Sequence, residues 1–161
     1  MEKTSETEVH HTVPVLAPIQ LAFDAFTGHC DAWWPRGYRL GQAERTDLVL
    51  EPRLGGRWYE RTADGKESDW GRVLVWDPPG HLALSWQIGL AFVPQHHPQR
   101  ASCVEVTFVE DGPAKTIVTV VHSGFERHGE GWESMRDAVS REGGWPGVLR
   151  AYAELVALGG T

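Results

Sequence analysis

Only two cysteines occur in this chain of 161 residues, Cys30 and Cys103, far apart and outside any C-x-x-C pattern. That excludes a disulfide scaffold and a thiolate metal site, and it reads as a pair of free thiols in a reducing compartment. Cys103 falls inside the strand-like run "ASCVEVTFV" with no base beside it, which disfavours a catalytic thiolate. Long apolar stretches are missing too. Runs such as "VLVW" (73–76) and "LALSW" (82–86) fall far short of the ~20 residues that span a bilayer, and the polar, acidic start "MEKTSETEVHH" is no secretory leader. The expected location is the cytoplasm, without membrane insertion.

Positive charge is scarce: 15 Lys plus Arg stand against 22 Asp plus Glu, a formal net charge of -7, and no basic residues line up as a stripe. Nucleic acid and anionic membrane surfaces are therefore excluded as partners. There is no G-x-S-x-G nucleophile elbow, no G-x-G-x-x-G and no P-loop. The histidine pairs at 10–11 and 96–97 project to opposite faces of an extended chain and lack i, i+4 spacing, so no metal site is expected, and no cofactor is implied.

What the chain does have is tryptophan: eight in all, four of them (Trp58, Trp70, Trp76 and Trp86) between residues 50 and 87. A chain of this length buries roughly 70% of its unfolded surface, enough for one core, so a single domain over 7–161 is expected behind a flexible tail at 1–6. "EVHHTVPV" (8–15) alternates weakly and predicts an edge strand, since Pro14 cannot donate to a ladder. In "PIQLAFDAF" (18–26) the apolar residues recur at helical spacing, and Gly28 is the stop. "HCDAWWPRGYRLG" (29–41) reads as a second helical turn or an irregular loop carrying Trp33 and Trp34.

Six strands follow: "TDLVLE" (46–51), "GGRWYERT" (55–62), "DWGRVLVW" (69–76), "HLALSWQI" (81–88), "SCVEVTFVE" (102–110) and "KTIVTVVHS" (115–123). Short turn-rich links make them an antiparallel meander with one buried face, and 89–100 forms a long loop of the kind that can serve as a lid. "EGWESMRDAVSRE" (130–142) is helical, the glycines at 143–144 break it, and "WPGVLRAYAELVAL" (145–158) carries an apolar stripe of Trp145, Leu149, Tyr152 and Val156. That stripe can only lie against the sheet. The fold class is α+β: about seven antiparallel strands curled around a long C-terminal helix, with two short helices after the first strand. A twisted sheet cannot follow a straight helix along its whole length, so a gap between them is expected.

The runs "LEPRLGGRWYERTADG", "WGRVLVWDPPGHLALSW", "VTVVHSGFE" and "GGWPGVLRAYAEL", in that order, resemble the activator of heat-shock protein 90 ATPase type of domain. That type belongs to the helix-grip superfamily of START domains, polyketide cyclases and the birch-pollen allergen, and the likeness runs from about Val13 to Leu158. It implies a cavity between sheet and helix that holds apolar or aromatic small molecules, without implying one reaction. A chaperone, or a second copy of the chain, is the macromolecular partner it leaves open.

Parity then nominates a cavity wall of Trp33, Trp58, Trp86, Val106, Phe108, Val120, His122, Trp145, Leu149 and Tyr152, while Trp76 before "DPPG" is structural. His122 shares its face with Thr116, Val118 and Val120, and His11 shares one with Val9, Val13 and Val15. A histidine in an apolar cavity can orient a carbonyl or move a proton near neutral pH. "RWYER" fits neither face cleanly. Either Trp58 and Glu60 point inward, which makes Glu60 a second acid–base candidate, or Arg57, Tyr59 and Arg61 do. The leading expectation is non-catalytic binding of a small hydrophobic or aromatic molecule. The alternatives are a cyclase, aromatase or dehydratase on a polyketide-like substrate using His122 or Glu60, and a chaperone-contacting module.

Overall fold

The computed structural model describes residues 7–158, so the expected tail at 1–6 lies outside the described residues. Strand β1 (Val9–Val15) is followed by helices α1 (Ile19–Gly28) and α2 (Cys30–Trp33), then by β2 (Arg45–Leu50), β3 (Arg57–Thr62), β4 (Glu67–Asp77), β5 (His81–Trp86), β6 (Ser102–Glu110) and β7 (Thr116–Ser123). Helices α3 (Trp132–Ser140) and α4 (Trp145–Ala157) close the chain. All neighbouring strands pair antiparallel in the order β1-β7-β6-β5-β4-β3-β2. The expected α+β helix-grip architecture is what the chain adopts.

β1 sits at one edge and β2 at the other, so α1 and α2 must carry the chain across the whole hollow of the sheet. Pro14 is tolerated because β1 has a partner on one side only. α1 turns Ala22, Phe23 and Phe26 into the hollow, where Phe23 meets Phe108 edge-on at 5.1 Å and Trp76 at 5.2 Å. Across the sheet, Val104 faces His122, Val106 faces Val120 and Phe108 faces Val118, all inward and buried. From above, α4 adds Leu149 and Tyr152, and the Tyr152 hydroxyl donates to the Ala22 carbonyl at 2.6 Å, tying α4 to α1. Burial raises the pKa of that phenol. This half of the hollow is solid core.

Bulges decide what the other half contains. Trp58 pairs with Gly71 and Tyr59 with Asp69, which leaves Trp70 as the extra residue of β4. A side chain at position 71 would run into the Ser85 carbonyl, so only glycine allows β4 and β5 to approach there. The open question at 57–61 resolves in favour of Trp58 and Glu60, both buried, with Arg57 and Arg61 outside. Outside, the Arg57 guanidinium lies 3.9 Å from the Tyr59 ring centroid and bonds Asp69 and Glu67. A second bulge between Val73 and Val75 re-phases β4, so that Trp76 pairs with Leu82 and packs on Phe23. No helix among the described residues is long and apolar enough to cross a membrane.

Candidate functional site

A cavity of about 500 Å³ opens where the loop after α2, the β4–β5 end of the sheet and the α3–α4 junction meet. Four indoles from four separate places line it: Trp34 just after α2, Trp70 on β4, Trp86 at the end of β5 and Trp145 at the start of α4. Ile88, Val139 and Val148 add aliphatic surface, and the exposed side chains of Tyr38, Arg39, Phe92 and Arg141 form its rim. The indoles touch in a closed circuit completed by Trp58 behind the wall, with centroid separations of 5.7 Å (Trp34–Trp58), 6.0 Å (Trp58–Trp86), 5.9 Å (Trp86–Trp145) and 5.7 Å (Trp34–Trp145). Such tilted and edge-on contacts suit the ring quadrupoles and keep flat faces available to a guest.

The wall differs from the one drawn by parity. Trp86 and Trp145 line it, but the other expected positions do not. Trp33 is packed among Phe26, Trp34 and Tyr152, with its indole N–H given to the Ala25 carbonyl. Val106, Phe108, Val120, Leu149 and Tyr152 point inward as expected, yet they belong to the core that α1 and α4 fill. Alternation reports which face a side chain is on. It is silent about what covers that face.

Glu60 and His122, the two acid–base candidates, both lie just behind the wall, and each accepts the N–H of one wall indole. Glu60 Oε1 receives Trp70 Nε1–H at 2.9 Å and the Leu40 N–H at 2.7 Å, and Oε2 receives the Gly41 N–H at 2.7 Å. The carboxylate therefore spans from β3 to the rim loop and holds Trp70 in place. His122 Nδ1 accepts Trp145 Nε1–H at 3.1 Å. An indole nitrogen can only donate, so this bond fixes the His122 tautomer. The His122 proton must be on Nε2, which donates to Ser102 Oγ at 2.8 Å, and the Ser102 hydroxyl then donates to His128 Nε2 at 2.8 Å. His128 Nδ1 consequently carries a proton, and it is buried without an acceptor.

Both imidazoles are held neutral. Burial lowers the pKa of His122 well below its usual value, with the neighbouring His128 adding to the effect, and burial lowers His128 as well. Protonating His122 would place a proton on Nδ1 against the indole N–H, so the geometry opposes it independently. His11 is only half-buried, and burial followed by the Arg150 charge lowers its pKa.

The rim loop has a second anchor that sequence reasoning did not single out. Arg45, 1% exposed, donates to the carbonyls of Trp34 (2.7 Å), Tyr38 (2.9 Å) and Pro35 (3.2 Å), and its Nε lies 3.2 Å from Asp31 Oδ1. The Tyr38 hydroxyl donates to the Gly143 carbonyl, joining the rim loop to the α3–α4 junction. Across the opening, 87–95 folds back as a narrow hairpin, with Gln95 N–H on the Gln87 carbonyl at 2.8 Å and Ala91 and Phe92 left-handed at φ 64° and 58°. This places Phe92 at the rim. Among the described residues, no group of three or more His, Cys, Asp or Glu is placed to hold a metal ion.

A family model described as Activator of Hsp90 ATPase homolog 1-like protein matches residues 16–157. The chain belongs to that family. Among solved structures, the family member is similar to the anthrahydroquino-γ-pyrone synthase Txn09, at 36% identity over 94% of this chain and 99% of that one, with a TM-score of 0.67. It is also similar to CalC of Micromonospora echinospora, described as a self-sacrificing resistance protein, at 30% identity over 97% of each chain and a TM-score of 0.69. The Aha1 dimer of Colwellia psychrerythraea, at 14% identity, 94% and 97% coverage and a TM-score of 0.64, shares the fold alone. Among curated proteins no match was found.

Proposed function

We propose that this family member binds a flat, polycyclic aromatic molecule in the cavity walled by Trp34, Trp70, Trp86 and Trp145. The observation that carries the reading is the convergence of four indoles from four separate places on one space of about 500 Å³, well inside the range of small-molecule sites. Plain core packing does not need the wall to be held rigid, and here two of the four indoles are fixed by buried polar groups, Trp70 by Glu60 and Trp145 by His122. Rigid aromatic walls lose little entropy on binding. The likeness to Txn09, whose name specifies an anthrahydroquinone-derived product, supports the same ligand class.

The test is titration of the purified protein with a panel of anthraquinone and anthracene dyes, following indole emission and melting temperature. Quenching together with a rise in Tm that grows with dye concentration is expected. If no dye in a broad panel changes either quantity, the reading fails.

The same likeness favours a second reading, ring closure on a bound aromatic substrate with a flexible side chain. The cavity would contribute chiefly by holding that chain folded on its own ring, a proximity effect. Glu60 and His122 serve the wall in this reading too, since their acceptor atoms are engaged by N–H donors. Incubation with a 2-hydroxyaryl 1,3-diketone, whose phenol oxygen adds to the distal ketone carbon while that ketone's oxygen leaves as water, followed by mass spectrometry for the loss of one water, tests it. A rate equal to that in buffer refutes it.

A further inference from the structure

The charge around the cavity is one-sided. Although the chain carries a formal net charge of -7, the described residues lining the cavity include Arg39 and Arg141 and no Asp or Glu. Of the ten other arginines, eight stand within ion-pair distance of a carboxylate. The two at the rim do not. Among the described residues, the Arg39 guanidinium donates to the carbonyls of Gly41 and Gln42 in its own loop, and the Arg141 side chain has no hydrogen-bond or ion-pair partner.

The 13-residue helix α4 starts at the cavity, where Gly143, Gly144 and Trp145 are part of the lining, and its first turn has no acidic residue and no side-chain cap. The Gly147 N–H in that turn is taken by the Glu142 carbonyl at 2.9 Å, and the Glu142 carboxylate lies beside Gly147, paired with Arg150, so this helix end adds nothing to the arginine charge. Trp86, 4% exposed, lines the wall, but its indole N–H is buried without an acceptor and so is not offered to the cavity. Glu60 does not offset the arginine charge, because it lies behind Trp70 with its oxygens engaged by three N–H donors and with Arg45 close enough to interact electrostatically.

We infer that the ligand is an aromatic oxyanion, its ring system among the four indoles and its carboxylate or phenolate at the rim with Arg39 and Arg141. This rests on the cavity-binding reading above and narrows it to a charge class. Arginine suits the role because its planar fork grips an oxyanion in a fixed orientation and stays charged at any working pH.

The experiment compares three probes of one shape: anthraquinone-2-carboxylate, its neutral carboxamide and a cationic trimethylammoniomethyl analogue. Affinities are read from tryptophan quenching at low and high salt for the wild type, Arg141→Gln and Arg53→Gln. Arg53 lies on an exposed turn away from the cavity, so its variant removes the same charge elsewhere. The carboxylate should bind roughly three- to tenfold tighter than the carboxamide, the cation weakest, with the preference shrinking in salt. Arg141→Gln should weaken the carboxylate a few-fold and leave the carboxamide unchanged, while Arg53→Gln changes neither. Equal binding of carboxylate and carboxamide by the wild type overturns the inference while the cavity reading stands. So does a loss in Arg53→Gln as large as in Arg141→Gln. If none of the three probes binds, the cavity reading is overturned and this inference with it.

Discussion

Replacing Ser102 by alanine isolates the buried chain behind the wall. Ser102 is 1% exposed, and its hydroxyl is the only link between His122 Nε2 and His128 Nε2, each 2.8 Å away. Because Trp145 can only donate to His122, the imidazole cannot change tautomer to escape the loss without also losing the indole. Ser102→Ala thus strands one donor, the His122 N–H, and one acceptor, His128 Nε2, in a place that already holds an unpaired His128 Nδ1. Each stranded buried group costs about 1–3 kcal/mol, so the change should cost about 2–6 kcal/mol. That is a large share of the 5–15 kcal/mol typical of a whole domain, and at about 2–4 °C per kcal/mol it lowers Tm by roughly 5–20 °C. Urea unfolding followed by tryptophan emission and far-ultraviolet circular dichroism gives the number. A variant within about 0.5 kcal/mol of the wild type would show that the chain of protons assigned to these residues is wrong.

Three other outcomes follow from the same contacts. The lowered pKa values of His122 and His128 mean that the unfolded chain takes up protons first. Stability is then complete above about pH 6.5 and falls as pH drops below it, with a limiting slope of about 1.4 kcal/mol per pH unit for each histidine; urea midpoints unchanged between pH 7.5 and 5.5 would contradict this. Gly71→Ala drives a β-carbon into the Ser85 carbonyl at the β4–β5 approach and should cost about 1–3 kcal/mol or prevent folding, whereas Gly28→Ala, in open space, should cost almost nothing by the same unfolding assay. Glu60→Gln keeps the shape but can no longer accept from all three N–H donors, so it should weaken binding of a neutral flat dye several-fold and raise the solvent accessibility of Trp70, read by acrylamide quenching; unchanged dye affinity would remove Glu60 from the wall's support.

How much of this was legible in the sequence depends on whether a local rule survives in three dimensions. β6 was read to the residue because Ser102, Val104, Val106 and Phe108 alternate cleanly with outward residues over nine positions. The same parity carried Ser102, and the rule that finds Val104 would have found it. β3 was illegible because Trp58, Tyr59 and Glu60 are buried in succession, a pattern that a bulge and an arginine-covered outer face produce and no period-2 reading expects. Trp70 was hidden by that bulge. Trp34 was hidden by its neighbour: adjacent tryptophans at the end of α2 take different surroundings, and Trp33 has the core while Trp34 has the cavity. Arg45 and His128 leave no local trace, since a buried arginine at a strand start and a histidine in "FERHGEG" read like any solvated residues.

The two residues that pattern alone marked as acid and base lead to a more general point. A buried carboxylate and a buried imidazole near a cavity fit two designs: groups that exchange protons with a guest, and groups that hold the wall the guest meets. The designs differ in where the lone pairs point. In this chain Glu60 directs its oxygens to Trp70, Leu40 and Gly41, and His122 directs Nδ1 to Trp145, so each polar group is engaged by the element it fixes. A base must give up an acceptor site to take a proton: His122 can do so only by releasing the Trp145 indole, and Glu60 lies buried behind Trp70 with three N–H donors on its two oxygens. The charged side chains at the cavity rim are of the opposite kind, Arg39 and Arg141, both donors. Donors without acceptors stabilise negative charge on a guest and cannot remove its proton. A reaction in this cavity would therefore have to proceed by holding a substrate folded and steadying an enolate or phenolate that forms on it, with the proton leaving to water at the open rim.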